Sequence, residues 1–385
     1  MFHRKITEDL LQALKQFPAL LLTGPRQAGK TTLARHLLDI VPGRLFDLEN
    51  PRDLIAMEDP LGLLRGFSGL TVVDEAQRKP DLFPILRVLI DEDRRCGRFL
   101  LLGSSAPDLR RQSAESLAGR LCTFELQPLL LCETQSHSKE QLWLRGGFPP
   151  SLLAADDEAS LSWREQYVRD VAERDLRLLG FDLPPARMWR FLQMLAHNHG
   201  QLWNASQISR ALDIGATTAE RYLDAIQQTL IVRRIQPFFK NLGKRLTKSP
   251  RVFIRDSGLL HALLSLGDVR AIRGHPVAGH SFEGFVAEQF AGLLRPGFEL
   301  SFWRTAAGAE VDILLLRSGQ PAFAIEVKLN ATDPRPARGF YQACADLEPE
   351  HRWIVYPGDR ELPLGEDVHL LPIEIALSRF ASLTG

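Results

Sequence analysis

The sequence has few cysteines and no long apolar run. Its cysteines are spread over 385 residues without a C-x-x-C pair, at Cys96, Cys122, Cys132 and Cys344. This spacing favours neither a zinc ribbon nor a disulfide framework. No run approaches the roughly 18 apolar residues of a membrane span, and Glu8, Asp9 and Lys15 interrupt any signal-peptide core at the N-terminus. We therefore expect a soluble cytoplasmic protein without a membrane partner.

The chain also lacks a net charge. Lys and Arg total 47, as do Asp and Glu, so the formal charge at pH 7 is zero. Any affinity for nucleic acid must therefore come from a local patch. Hydrophobic residues make up 45% of the chain and charged residues 24%, which is typical of a globular protein. A length of 385 residues suits two or three domains.

The order of apolar segments predicts three units. Strands and helices alternate through residues 1–135, as in PALLLT, LTVVDE and RFLLLGS, which is typical of a parallel sheet covered on both faces. Helices dominate residues 136–256, and this region ends in two apolar runs joined by NLGKRLTKSP, the outline of a winged helix-turn-helix. Residues 257–385 return to an α/β pattern.

The stretch LLTGPRQAGKTTL predicts a nucleotide site. Gly24, Gly29, Lys30 and Thr31 fit G-x-x-x-x-G-K-[ST], the loop whose backbone N–H groups bind phosphates. The loop follows an apolar strand and opens a helix, whose N-terminal amides favour anions. We expect Lys30 to reach the β- and γ-phosphates of ATP and the Thr31 hydroxyl to ligate Mg²⁺. The predicted binding residues are Gly24, Pro25, Arg26, Gln27, Ala28, Gly29, Lys30, Thr31 and Thr32.

Polar groups also follow other strands of this unit. At the end of LTVVDEAQ, Asp74 fits the Mg²⁺ partner and Glu75 the general base, although acidic pairs also occur as solvated strand ends. RFLLLGSS ends in Ser104 and Ser105, either of which would bond the attacking water or the γ-phosphate, or act as a turn residue. Arg120 in SLAGR is a candidate arginine finger. A surface salt bridge is the alternative for Arg120.

These elements resemble a known family. GPRQAGKT, VVDEAQ, LLGSS, SLAGR and the distant EVD and EVK elements are similar to those of the prokaryotic AAA-type ATPases that carry a C-terminal domain of unknown function. The resemblance implies ATP binding and hydrolysis, a P-loop parallel-sheet domain and a nuclease-like C-terminal fold. Association with copies of the same chain, as a homo-oligomer, is left open. For a sensor arginine in the helical region, the candidates are Arg164, Arg169 and Arg174, none of them in a clear pattern.

A basic segment precedes the last unit. No Asp or Glu lies between Asp224 and Asp256, and the segment carries a local charge of +8 from Arg233, Arg234, Lys240, Lys244, Arg245, Lys248, Arg251 and Arg255. We expect a helix capped by Ser206 and then a recognition helix presenting Thr217, Thr218, Arg221 and Tyr222. The basic hairpin would then contact the phosphates of DNA. The alternative is a contact with another protein or domain.

The segment EVDILLLRSGQPAFAIEVK predicts a hairpin with opposed acids. A three-residue loop centred on Gly319 places Asp312 opposite Glu326, with Lys328 on the same face. Opposed carboxylates destabilise a sheet unless they are protonated or bridged by a cation. Together with Glu283 on a preceding helix, the set resembles the metal site of PD-(D/E)xK nucleases, with Mg²⁺ or Mn²⁺ as the metal. Solvated strand charges are the alternative.

The sequence thus favours three units, an α/β P-loop ATPase domain, a helical region with a winged helix and an α/β restriction-endonuclease-like domain. The favoured function is a Mg²⁺-dependent ATPase associated with DNA, with a metal-dependent nuclease activity left open. The alternative is an ATP-switched interaction protein whose C-terminal nuclease-like domain is catalytically inactive.

Overall fold

The computed structural model contains two β-sheets with a helical region between them in the chain. It describes residues 2–104, 113, 115–134, 137–178, 184–239, 247–330, 335–365 and 367–384. No helix within these ranges is long and apolar enough to cross a lipid bilayer.

The first sheet has the order β2-β3-β4-β1-β5, and its strand pairs are parallel. The strands are β1 (Ala19–Thr23), β2 (Gly43–Asp47), β3 (Leu70–Asp74), β4 (Phe99–Gly103) and β5 (Leu121–Glu125). The helices are α1 (Ile6–Leu14), α2 (Lys30–Ile40), α3 (Pro51–Ala56), α4 (Pro60–Arg65) and α5 (Leu82–Glu92). Every residue of β1, β3 and β4 is buried, because apolar clusters cover both faces of the sheet. The predicted parallel α/β unit is confirmed.

The helical region follows, as expected. Its helices are α6 (Lys139–Arg145), α7 (Pro149–Leu152), α8 (Asp157–Asp170), α9 (Leu176–Leu178), α10 (Pro185–His197), α11 (Ala205–Leu212) and α12 (Ala216–Gln228). A π-helical turn, Val171–Asp175, joins α8 to α9. Two local expectations were wrong. Asn204 caps α11 in place of Ser206, because its side chain accepts a hydrogen bond from Gln207 N, and Tyr222 of α12 is buried in the core and presents nothing to a partner.

The second sheet is mixed and includes the strands of the expected wing. Its order is β12-β13-β11-β10-β9-β8-β6-β7. The strands are β6 (Val232–Pro237), β7 (Arg251–Ile254), β8 (Phe298–Arg304), β9 (Glu310–Arg317), β10 (Gln320–Val327), β11 (His351–Tyr356), β12 (Leu362–Gly365) and β13 (Val368–Pro372). The helices are α13 (Ser257–Leu263), α14 (Val269–Gly274), α15 (Ala278–Ala291), α16 (Arg338–Leu347) and α17 (Ile373–Thr384).

The boundary expected after Asp256 does not separate two sheets. Strand β6 pairs with β7 on one side and, through Gln236 and Ser301, with β8 on the other. One apolar core also runs from the helical region into the second sheet. The wing strands and the C-terminal strands therefore form one structural unit.

The hairpin of β9 and β10 reaches the expected register by a different turn. Arg317 pairs with Gln320, so the loop has two residues, Ser318 and Gly319, both at positive φ, as in the tight turns that suit hairpins. A bulge between Pro321 and Phe323 then shifts the register by one residue. Beyond the bulge Ile313 pairs with Ile325. The next positions along the two strands are Asp312 and Glu326.

Candidate nucleotide-binding site

The loop between β1 and α2 needs glycine at two positions. A Cβ atom on Gly24 would lie 2.4 Å from the carbonyl oxygen of Leu126, so the loop passes too close to the backbone after β5 for a larger residue. Gly29 has φ +97°, a left-handed conformation that disfavours other residues, and it is the N-cap of α2. The two glycines of the motif therefore fix the path of the loop at both ends.

Lys30 lies inside this loop. Its Nζ donates hydrogen bonds to the carbonyl oxygens of Gly24 (3.0 Å) and Pro25 (2.9 Å). Burial lowers the pKa of the Lys30 ammonium, while the nearby carboxylates of Glu75 and Asp74 raise it. A buried ammonium in contact with the loop is in the right place for a phosphate group.

Thr31 and Asp74 contact each other across the sheet edge. The Thr31 hydroxyl donates to Asp74 Oδ2 at 2.5 Å, and Asp74 Oδ1 accepts from Glu75 N at 2.9 Å. The contact forms because the carboxyl ends of β1 and β3 meet at one edge of the parallel sheet. A hydroxyl and a carboxylate are hard oxygen donors, the kind that suits Mg²⁺. The two side chains predicted to hold Mg²⁺ are therefore adjacent.

Glu75 stands at a sharp turn after β3. Its φ is +53°, so the chain reverses and places the carboxylate beside the loop. Burial raises the pKa of Glu75, and Lys30 and a hydrogen bond from Gln77 lower it. The Gln77 side-chain amide donates to Glu75 and, at 3.3 Å, to the hydroxyl of Ser104 at the end of β4. Ser104 thus joins this set, while Ser105 lies outside the described residues.

Gln77 is the site residue that the sequence analysis missed. Its signal was present, since it ends the VVDEAQ element, two positions after Glu75. Nothing in the sequence alone shows that a short 3₁₀ turn, Ala76–Arg78, folds this side chain back to the carboxylate.

A cavity of about 610 Å³ opens over the loop. The described residues that line it include Lys30, Thr31 and Glu75. The walls from outside the first sheet are basic at Arg4 and Arg174 and apolar at Phe2, Leu129, Pro149, Pro150 and Leu153. The size is in the range of small-molecule sites. The cavity therefore joins a phosphate-binding loop to an apolar surface large enough for a base.

The helical region contacts the loop directly. Arg26 of the loop forms an ion pair with Asp175 at 3.3 Å, and the Tyr167 hydroxyl donates to the Arg26 carbonyl oxygen at 3.3 Å. Asp175 ends the π-helical turn, and such turns are frequent at functional sites. Arg174 lines the cavity from the same turn.

The other two sensor candidates have structural contacts. Arg164 is fully buried, and it donates to the carbonyl oxygens of Leu144 and Gly258. The Arg169 guanidinium lies 5.5 Å from the ring centre of Trp189. Of the three candidates, the structure brings Arg174 to the nucleotide cavity.

Comparisons with known proteins agree with this geometry. Residues 16–135 match the model of a family described as "AAA domain". Residues 136–270 and 278–376 match two domains of unknown function, DUF8612 and DUF4143. The uncharacterized proteins Rv2008c of Mycobacterium tuberculosis and Mb2031c of Mycobacterium bovis are each 47% identical over 375 residues, covering 97% of this chain and 84% of theirs. The chain belongs to their family. It is a P-loop AAA-type ATPase that binds ATP.

Two solved structures resemble this AAA-type ATPase, but less closely than the mycobacterial proteins do. The Walker-type ATPase PABY2304 of Pyrococcus abyssi has a TM-score of 0.49 and 16% identity, over 69% of this chain and 96% of that one. A signal-transduction ATPase with numerous domains, PH0952 of Pyrococcus horikoshii, has a TM-score of 0.29 and 12% identity, over 76% and 48% of the two chains. Both solved structures are more distant in sequence from this chain than the mycobacterial relatives are.

A larger cavity lies elsewhere in the ATPase. It measures about 690 Å³ and lies between α1, β5 and residues 291–296. The described residues around it include none of the loop residues 24–32 and neither Asp74 nor Glu75. The smaller cavity is therefore the candidate nucleotide site, because of these two cavities it is the one lined by Lys30, Thr31 and Glu75.

Arg120 lies at the wrong edge of the sheet for an arginine finger in its own chain. It precedes β5, and its guanidinium pairs with Asp91 at 2.7 Å. The loop is at the carboxyl ends of the strands, and a five-residue strand separates the two edges by about 13 Å. The alternative of a surface salt bridge is what the structure contains.

Four of the eight basic residues in the basic segment of the ATPase form ion pairs with acids. Arg233 pairs with Glu288 (2.5 Å), Arg234 with Asp224 (2.6 Å), Arg251 with Glu283 (2.6 Å) and Arg255 with Glu125 (2.7 Å). The local charge of +8 counts the segment alone, and the acids that pair with these four arginines lie outside it. Lys248 is exposed, while Lys240, Lys244 and Arg245 lie outside the described residues.

Of the two opposed acids of the hairpin, Asp312 lies beside an arginine in place of the expected metal ion. The buried guanidinium of Arg251 lies 2.6 Å from Glu283 and 3.8 Å from both Glu310 and Asp312. Burial and the carboxylate of Glu283 raise the pKa of Asp312 to about 8. Asp312 Oδ2 also accepts from Val327 N at 3.0 Å.

Glu326 has separate partners. It lies 2.5 Å from Lys328 Nζ, and both of its oxygens accept from Ala337 N. In the described part of the chain, no group of three or more His, Cys, Asp or Glu side chains is arranged to hold a metal ion. Glu283 and Asp312 are thus brought together around a guanidinium, whereas Glu326 and Lys328 pair with each other.

Proposed function

We propose that the chain hydrolyses ATP in the presence of Mg²⁺, with Glu75 as the general base. The observation that carries this proposal is the grouping at one sheet edge. Lys30 lies within the loop, Thr31 contacts Asp74, and the Glu75 carboxylate lies beside both. These are the parts that phosphoryl transfer in P-loop enzymes requires.

Each side chain has one task in this mechanism. The loop N–H groups and Lys30 bind the phosphates and orient the γ-phosphate. Thr31 and Asp74 would hold Mg²⁺, which when bound neutralises charge on the phosphates. Glu75 takes a proton from water as the water oxygen attacks. Burial favours this role, because it raises the pKa of Glu75 and so makes the carboxylate a stronger base.

Two substitutions test the assignment. Lys30→Ala should abolish nucleotide binding, because the phosphates lose their buried cation. Glu75→Gln should bind ATP normally and release phosphate at least about 100-fold more slowly, the usual loss when a general base is removed. Binding is measured with a fluorescent ATP analogue and turnover by phosphate release.

Glu49→Gln is the matched control for this test. Glu49 is a second carboxylate of the same cavity wall, but it pairs with Arg78 at 3.6 Å. It should retain turnover within about twofold, since it has no role in proton transfer. Equal turnover in the wild type and Glu75→Gln would refute Glu75 as the base.

We also propose that the C-terminal unit acts as a catalytically inactive module of an ATP-switched interaction protein. The observation that favours this second function is Arg251. Its guanidinium, 4% exposed, lies among the acids that a nuclease would use for a metal ion. A cation of the protein itself compensates these carboxylates, so a divalent ion would have to displace it.

Manganese titration separates the two accounts of the C-terminal unit. The wild type should bind Mn²⁺ only with nucleotide and should not cleave DNA. Arg251→Ala should gain one Mn²⁺ site, because Glu283, Glu310 and Asp312 lose the buried cation that they share. A second Mn²⁺ site in the wild type that is lost in Asp312→Asn, with cleavage lost in Asp312→Asn and Lys328→Ala, would establish a nuclease instead.

We also propose that the protein associates with DNA, through fewer basic residues than the sequence alone suggested. It is supported by the exposed Arg221 on α12 and Lys248 before β7, and by the basic residues between β6 and β7. The four paired arginines of the segment do not contribute free charge to it.

A further inference from the structure

The side chain of Gln77 bridges two strand ends beside the nucleotide cavity. Glu75 reverses the chain after β3, and the 3₁₀ turn that follows directs Gln77 back toward the carboxylate. Its Nε2 donates to Glu75 Oε2 and to Ser104 Oγ. One amide nitrogen therefore connects the end of β3 with the end of β4.

The oxygen of the same amide faces no donor in the part of the chain that the structure describes. Among the described residues, Gln77 Oε1 is buried and without a hydrogen-bond partner. The orientation of the amide is fixed by chemistry, because an ionised carboxylate only accepts hydrogen bonds and Nε2 must face it. A buried acceptor without a donor is unfavourable, because it has lost its hydrogen bonds to water. A water molecule held beside Glu75 would satisfy it.

We propose that Gln77 positions the water that attacks ATP. Nε2 holds the Glu75 carboxylate in its orientation, and Oε1 accepts one hydrogen of the water. The second hydrogen passes as a proton to Glu75 while the water oxygen bonds to the γ-phosphorus. The bond from that phosphorus to the β,γ-bridging oxygen breaks, and ADP leaves with the electron pair. This inference rests on the proposed role of Glu75 as base.

A structural role for Gln77 predicts a different pattern of effects. If the amide only fastened the turn to Ser104, its loss would disturb the loop beside it and weaken nucleotide binding together with turnover. A water-positioning role acts after ATP is bound. It therefore lowers kcat and leaves KM and nucleotide affinity unchanged.

The test uses the full chain with Mg²⁺ and ATP. Gln77→Leu removes both polar ends of the amide, and the isosteric Gln77→Glu keeps one acceptor oxygen but replaces the donor with a second oxygen that repels the Glu75 carboxylate. Both should lower kcat by about 100-fold, the usual size of a lost proton-transfer or positioning contact, with KM and ADP affinity within about twofold of the wild type. Gln342→Leu changes an exposed glutamine of α16 and should change none of these values.

Two outcomes overturn the inference. One is wild-type kcat in Gln77→Leu. The other is a loss of ADP affinity, in both variants, as large as the loss of kcat. Glu75→Gln measured in parallel separates this inference from the proposed function. If Glu75→Gln is inactive and Gln77→Leu is active, only the role of Gln77 fails, whereas activity in both removes Glu75 as base and the inference with it.

Discussion

Asp256 shows how one buried carboxyl group ties the helical region to the second sheet. It caps α13 by accepting from Leu259 N at 2.9 Å, and it accepts from Gly147 N at 2.7 Å. Burial raises its pKa from 3.8 to about 6, although both hydrogen bonds and the nearby Arg164 oppose the rise. Ionisation of the Asp256 carboxyl group is therefore less favourable in the folded protein than in the unfolded chain.

This shift predicts a loss of stability as the pH rises. A carboxyl group whose pKa is raised by folding stabilises the folded protein fully when the pH is below its unfolded-state pKa, near 4. This stabilisation is lost as the pH rises through the folded-state pKa of about 6. A shift of about two units corresponds to about 3 kcal/mol. Urea unfolding at pH 4.5 and pH 7.5 should show this decrease in the wild type.

The comparison with a second cap isolates the effect of burial. Asp256→Asn cannot ionise, so its unfolding free energy should change less between the two pH values. Asp268 caps α14 through Ala271 N but is exposed, and Asp268→Asn should keep the wild-type pH dependence. The same pH dependence in all three proteins would show that another group is responsible.

At this scale the sequence predicted single residues well where their chemistry is local. Lys30, Thr31 and Asp74 lie where the motif places them, because spacing along a strand, loop and helix determines their positions. Arg251 could not be predicted as the partner of Asp312, since the contact joins residues 61 positions apart in the chain. A count of basic residues along the sequence likewise does not show which distant acids pair with them in the folded protein.

At the scale of elements, the β9–β10 hairpin shows how a correct register can follow from an incorrect turn. The expected three-residue loop is a two-residue loop followed by a bulge, and the two differences cancel. Alternation of apolar residues determines which face each strand buries, and this pattern is visible in the sequence. The location of the bulge depends on packing and is not visible there.

Substitutions in and next to the connection between β6 and β7 test whether the protein binds DNA. Replacing Lys244, Arg245 and Lys248 with alanine should weaken binding to duplex DNA of any sequence, because these side chains would contact phosphates. The salt dependence of affinity should fall by up to about three units of slope. Fluorescence anisotropy over a range of salt concentrations measures both values.

Arg270→Ala provides the control for this substitution. Arg270 is exposed on α14, away from the β6–β7 connection in the chain, and its loss should leave the slope within about one unit of the wild type. If the triple variant has wild-type affinity and slope, the connection contacts a protein partner instead.

At the scale of the whole molecule, buried ion pairs join the first sheet to the rest of the chain. Arg255 lies 2.7 Å from Glu125, at the end of β5, and 3.1 Å from Glu288 of α15. Glu288 also binds Arg233 of β6, and these two arginines lower its pKa although burial raises it. Glu125 is at the same sheet edge as the nucleotide loop. Ion pairs therefore connect that edge to charged groups of the other two regions.

The pairing of β6 with β8 determines how the protein can be divided into fragments. A fragment of residues 257–385 lacks β6 and β7, so β8 becomes an edge strand with unpaired backbone groups and an uncovered apolar surface. Such an edge promotes aggregation. We expect this fragment to elute in the void volume during size-exclusion chromatography, and a fragment of residues 137–385 to remain soluble. For expression, crystallisation or binding studies, the second half of this chain is therefore one indivisible piece that starts near residue 137.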